Sequence, residues 1–99
     1  MTAVTTVTII TAKLGLGREV ERQLAALASR TDGATGRTRY RSERALENPD
    51  VFVLTEHWDS TESVDSHVSD PELGWLLQTE HLHAAPPQVL YLESLPQHA

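Results

Sequence analysis

His67, Tyr40 and Glu56 are the side chains of this chain best suited to proton chemistry, and Trp58 and Trp75 are those best suited to hold a flat ring. Histidine exchanges a proton near neutral pH, so His67 can act as a general base or donate a hydrogen bond to a substrate oxygen. Tyr40 offers a phenolic hydroxyl to a developing anion. Glu56 and Trp58 are two residues apart, which on a strand puts them on one face with Phe52 and Leu54. The run Val51 to Trp58 passes straight into Asp59-Ser60, a helix cap, and His67 then falls on an apolar stripe with Val64 and Val68. Strand and helix together bring polar and aromatic groups into an apolar interior, and that arrangement builds a pocket.

Each of these residues also has a plain structural reading. A histidine on an apolar face is often a core residue held by one hydrogen bond. Trp58 is a natural anchor of sheet against helix. A carboxylate on that face needs a partner, and an arginine such as Arg39 or Arg41 across the hairpin would supply one to Glu56. Trp75 lies off the Leu73, Leu76, Leu77 stripe, where it would lid the pocket or meet a second subunit. His81 and His83 sit two apart, and on a helix such a pair diverges, which argues against a metal site.

Composition narrows the classes. The chain has 99 residues, 39% hydrophobic and 22% charged, and reads as a single globular domain over 1–99. The net charge of −6 argues against nucleic acid as a partner. Arg37, Arg39, Arg41 and Arg44 form a local basic cluster, three of them on one face of a regular strand. No apolar run approaches the ~20 residues that span a bilayer. Cysteine is absent, which removes thiolate nucleophiles, disulfides and thiolate metal sites. The start of the chain alternates Val, Thr and Ile and does not resemble a signal peptide, so a cytoplasmic location is expected. No phosphate-cradling glycine motif and no metal motif occurs, so the expected cofactor is none.

The elements follow from pattern. Val4 to Lys13 is β-branched and reads as a strand with apolar residues on both faces. Arg18 to Ser29 repeats apolar residues at helical spacing. Arg37 to Glu43 and Val51 to Trp58, joined by Leu46-Glu47-Asn48-Pro49-Asp50, read as an antiparallel hairpin. Asp59 or Ser60 caps a second helix, and Asp70-Pro71 opens a further helical segment. Gln88 to Leu95 is the last strand. This βαββαβ order is the α+β, ferredoxin-like arrangement with an antiparallel sheet. Its helices cover one face only, and a second copy packed sheet to sheet would cover the other.

The run Asn48-Pro49-Asp50-Val51-Phe52-Val53-Leu54-Thr55-Glu56-His57-Trp58-Asp59-Ser60, followed by His67-Val68-Ser69-Asp70, resembles the signature of antibiotic biosynthesis monooxygenase domains. Arg39-Tyr40-Arg41-Ser42 resembles the family's preceding strand. The resemblance implies a homodimeric α+β barrel with a ligand cavity between each sheet and its own helices. It also implies oxygenation of an electron-rich aromatic, quinol or polyketide-like small molecule by molecular oxygen, without metal or flavin. His67 and Tyr40 would be catalytic, with Trp58, Trp75, Glu56, Arg39, Phe52 and Leu54 binding substrate. The family's usual Glu-Pro-Gly before the second strand is replaced here by Thr31 to Gly36. The haem-degrading branch has an Asn on its first strand and a Trp where His67 stands, and this chain has neither. A non-catalytic binding or accessory barrel, or a cyclase or isomerase of the same fold, are the alternative readings.

Overall fold

A computed structural model describes residues 3–67 and 73–96, apart from the side chains of Ser66, His67 and Leu73. The elements are β1 (Val4–Thr11), α1 (Gly17–Arg30), β2 (Arg37–Arg44), β3 (Val51–Trp58), α2 (Thr61–His67), α3 (Leu73–Gln78), a 3₁₀ turn (Glu80–Leu82) and β4 (Gln88–Leu92). The four strands form one antiparallel sheet in the order β2-β3-β1-β4. This is the ferredoxin-like arrangement. The last strand stops at Leu92, three residues short of the expected Leu95. None of the described helices is long and apolar enough to cross a membrane.

Strand alternation sorts the sheet into two faces. Val4, Thr6, Thr8 and Ile10 of β1 and Phe52, Leu54, Glu56 and Trp58 of β3 are buried. The other face carries Val7, Ile9, Val51 and Val53, all half-buried. Helix α1 buries Val20, Leu24 and Leu27 against the inner face. With Ile10, Ala12, Phe52, Leu54, Trp75 and Leu82 they form the main core, and Val4, Trp58 and Val64 form a smaller one. Each fully buried side chain of this kind contributes about 1.5–3 kcal/mol.

Two local features set the ends of the site. Ser60 caps α2 through its Oγ, which accepts a hydrogen bond from the Ser63 amide at 3.3 Å. Gly36 has φ +81°, and a Cβ there would collide with Ser63, so the turn into β2 can pack against α2 only with glycine. The expected cap at Asp70-Pro71 and the stripe residue Val68 lie outside the described residues.

Two expectations need correction. The expected common face of Arg37, Arg39 and Arg41 is broken by a bulge between Arg37 and Arg39. The extra residue shifts the pleat by one, so Arg37 turns inward while Arg39 and Arg41 stay on the outer face. On α3 the expected stripe is rotated. Trp75 is 1% exposed and Leu77 is 64% exposed. The six-residue helix turns its largest side chain to the core, where the indole N–H donates to the Gln23 carbonyl at 2.8 Å. An indole buries more area than a leucine and also needs that acceptor, so it sets the helix rotation.

Candidate functional site

Two neighbouring regions of the inner face hold the candidate residues. The first is a sealed polar knot between β2, β3 and the end of α1. Glu56 is 1% exposed, and the bulged Arg37 reaches it with Nη1 at 3.1 Å. The same Nη1 donates to Thr31 Oγ1 at 3.1 Å, and Nη2 donates to the Thr31 carbonyl at 2.7 Å. The guanidinium lies 4.5 Å over the Tyr40 ring and 6.0 Å from the Trp58 ring. Trp58 Nε1 donates to Thr6 Oγ1 at 3.2 Å. The partner of Glu56 is therefore Arg37 rather than Arg39 or Arg41. A buried pair of this kind survives desolvation only because several further hydrogen bonds hold it, as they do here.

The second region is a groove of about 500 Å³ lined by Val4, Thr61, Val64, Asp65, Tyr91, Leu92 and Glu93. Val4 and Val64 pack on Trp58, so the indole forms the layer behind the groove wall. Helix α2 supplies one side and β4 the other. His67 is the last residue of α2, three positions after Val64. Its side chain lies outside the described residues. Asp65 and Glu93 are the charged groups among the described residues that line the groove.

The remaining candidates are spread over the fold. Phe52 and Leu54 are core residues, and Trp75 joins α3 to α1. Arg39 is exposed on the outer face, opposite His57 in the register. His57 Nδ1 meets Thr5 Oγ1 at 3.2 Å on that face. Among the described residues no three His, Cys, Asp or Glu side chains are grouped to hold a metal ion. Sequence reasoning missed Arg37, because only a bulge brings it inward. It also missed Tyr91, whose alternation with Val89 on β4 was the available signal. The buried His83, 6% exposed, gave a usable signal in its four-residue spacing from Thr79.

The fold has wide company among solved structures. A Pseudomonas aeruginosa protein, PA3566, superposes with a TM-score of 0.85 at 23% identity over 97% of each chain. A conserved protein of Methanosarcina mazei gives 0.87 at 20% identity, over 96% of this chain and 95% of that one. A Deinococcus radiodurans protein named as a candidate antibiotic biosynthesis monooxygenase gives 0.84 at 20% identity, over 97% and 96%. At such identities these likenesses speak to the fold. No curated protein sequence matches the chain. The family profile of antibiotic biosynthesis monooxygenases matches residues 3–74, which take in the knot and the α2 side of the groove, and the chain belongs to that family.

Proposed function

We propose that this protein is a cofactor-independent monooxygenase that oxidises an electron-rich aromatic, anthrone-like or quinol small molecule with molecular oxygen. The observation that supports the reading is the groove between α2 and β4, backed by Trp58 and lined on one side by the helix that ends at His67. Family membership supplies the reaction type. A deprotonated anthrone or phenol is itself an electron donor to oxygen. For a methylene between aryl rings the balance is CH2 + O2 → C=O + H2O, and no outside reductant is needed. The protein has then to remove a proton, stabilise the resulting oxyanion and exclude water.

In this reading His67 is the base or the oxyanion donor, and Tyr91 and the wall before Trp58 hold the ring. Tyr40, Glu56 and Arg37 keep the sheet in shape behind them. A second copy covers the outer face, where Leu90 and Leu92 are 41% and 43% exposed beside Val7, Ile9, Val51 and Val53. Sedimentation showing only monomer at micromolar concentration would remove that part.

Oxygen uptake with a panel of anthrones and quinols tests the activity. The expected result is one O2 consumed per substrate, with water as the second product. Saturable binding without oxygen uptake would favour the accessory-binder reading. Conversion without uptake would favour a cyclase or isomerase.

A further inference from the structure

We propose that His83 is the floor of a second small-molecule site, which takes an uncharged, planar molecule carrying one O–H or N–H donor, of the phenol class. A groove of about 370 Å³ opens there, lined by Leu76, Leu77, Glu80, His83, Ala84, Ala85, Pro86 and Pro87. It shares no lining residue with the groove between α2 and β4. An apolar cavity of about 150 Å³ accommodates benzene, so this one has room for one or two rings.

The chemistry of the floor is set by a short relay. The Thr79 hydroxyl donates its one proton to the Trp75 carbonyl at 2.8 Å. Toward His83 Nε2, at 3.3 Å, Thr79 Oγ1 can then only accept. Nε2 therefore carries the ring proton, and Nδ1 holds a lone pair. Among the described residues Nδ1 makes no hydrogen bond, and His83 lines the groove. The side chain is otherwise buried, with its ring 6.1 Å from that of Trp75.

The floor is also rigid. The His83 amide donates to the Glu80 carbonyl at 3.1 Å, the Ala84 amide to the Thr11 carbonyl at 2.8 Å, and Lys13 to the Leu82 carbonyl at 2.8 Å. His83 is thus fastened to the end of the sheet beside Ala12. A fixed acceptor in an apolar setting selects a donor, because a ligand without one leaves Nδ1 desolvated and unpaired. Glu80 adds negative charge to the lining, which disfavours anions. Burial also holds the imidazole below its usual pKa, so it stays neutral at physiological pH.

The test uses the full chain, uniformly 15N-labelled, with 4-methylphenol as probe and 4-methylanisole, its O-methyl ether, as the analogue that is one methyl larger and lacks the donor. Long-range 1H–15N spectra of the imidazoles should show His83 as the Nε2–H tautomer. Added 4-methylphenol should shift Nδ1 and the amides of Leu77, Ala84 and Ala85 saturably, and the ether should bind about fivefold or more weakly. His83→Leu removes the acceptor and should erase the preference for the phenol, with the amide spectrum reporting that the fold is kept. An Nδ1–H tautomer, equal binding of phenol and ether, or no saturable shift at millimolar probe would each overturn the proposal. None of these three readings depends on the variant folding.

Discussion

The knot around Glu56 and the groove beside α2 lie on one sheet face, and they handle polarity in opposite ways. In the knot, charge is deep and paired: Glu56 faces Arg37, and Arg37 is shared with Thr31 and laid on Tyr40. In the groove, polar groups are shallow, with Thr61, Asp65, Tyr91 and Glu93 around an apolar wall. A satisfied buried charge fixes a fold and has no capacity left for a substrate. We therefore propose that this buried cluster is scaffold and that the groove is where chemistry takes place.

The most forceful way to break this comparison is His67→Ala. On the groove side the change should leave the melting temperature nearly intact and lower turnover about 10²- to 10⁴-fold, the usual contribution of a general base or acid. A pH–rate profile should lose one limb in the variant. If instead the folded variant keeps its activity and only melts earlier, His67 belongs to the scaffold.

Glu56→Gln or Glu56→Ala is the counterpart on the knot side. It strands the Arg37 guanidinium, whose side chain is 7% exposed, and should cost about 3–5 kcal/mol in urea unfolding. Activity per folded molecule should change little. The double variant Glu56→Leu with Arg37→Met should recover much of that loss, because the pair is replaced by packing rather than broken. Equal destabilisation of single and double variants would show that the two charges do not depend on each other.

A third, smaller effect belongs to His83. Burial, and then the neighbouring His81, lower its pKa in the folded chain, while Glu80 acts the other way. The unfolded chain therefore binds this proton more readily as pH falls through the ordinary value of 6.5. His83 stability is complete above that pH and is lost progressively below it. His83→Gln should flatten the slope of stability between about pH 7 and 5, as measured by urea midpoints. An unchanged slope would mean that other groups carry the acid sensitivity.

The sequence carried the architecture further than the site. The βαββαβ order was legible because β1 and β3 are β-branched and apolar runs and α1 repeats Val20, Leu24 and Leu27. That Glu56 and Trp58 share a face with Phe52 and Leu54 followed from the strand period, but which face turns inward did not, because both carry apolar residues. Arg37 was not legible, since a one-residue bulge reverses the pleat and nothing in Arg-Thr-Arg-Tyr announces it. The rotation of α3 was hidden for another reason. A six-residue helix has too few positions to define a stripe, and a single tertiary contact from Trp75 to Gln23 decides it. The catalytic assignment to His67 rests on its stripe and on the family resemblance.

The smallest expected effect concerns what the groove admits. Asp65 and Glu93 are both exposed at its edge. A carboxylated substrate entering there would meet like charge, while a neutral one would not. Neutralising both with Asp65→Asn and Glu93→Gln should lower KM for a carboxylated anthrone about two- to fivefold, the scale of exposed charge interactions. KM for the uncarboxylated compound, and kcat for both, should stay put, since neither residue takes part in the chemistry. The gain should shrink as salt rises, because the charges are exposed and the Debye length falls to about 3 Å at 1 M. The knot offers the control. Its ion pair is sealed, so the Glu56→Gln penalty should be nearly the same at low and high salt. If the edge substitutions shift KM for both substrates alike, the acidic edge does not select charge. If the effect ignores salt, it comes from a change of groove shape, and the contrast between an open groove and a closed knot would have to be redrawn.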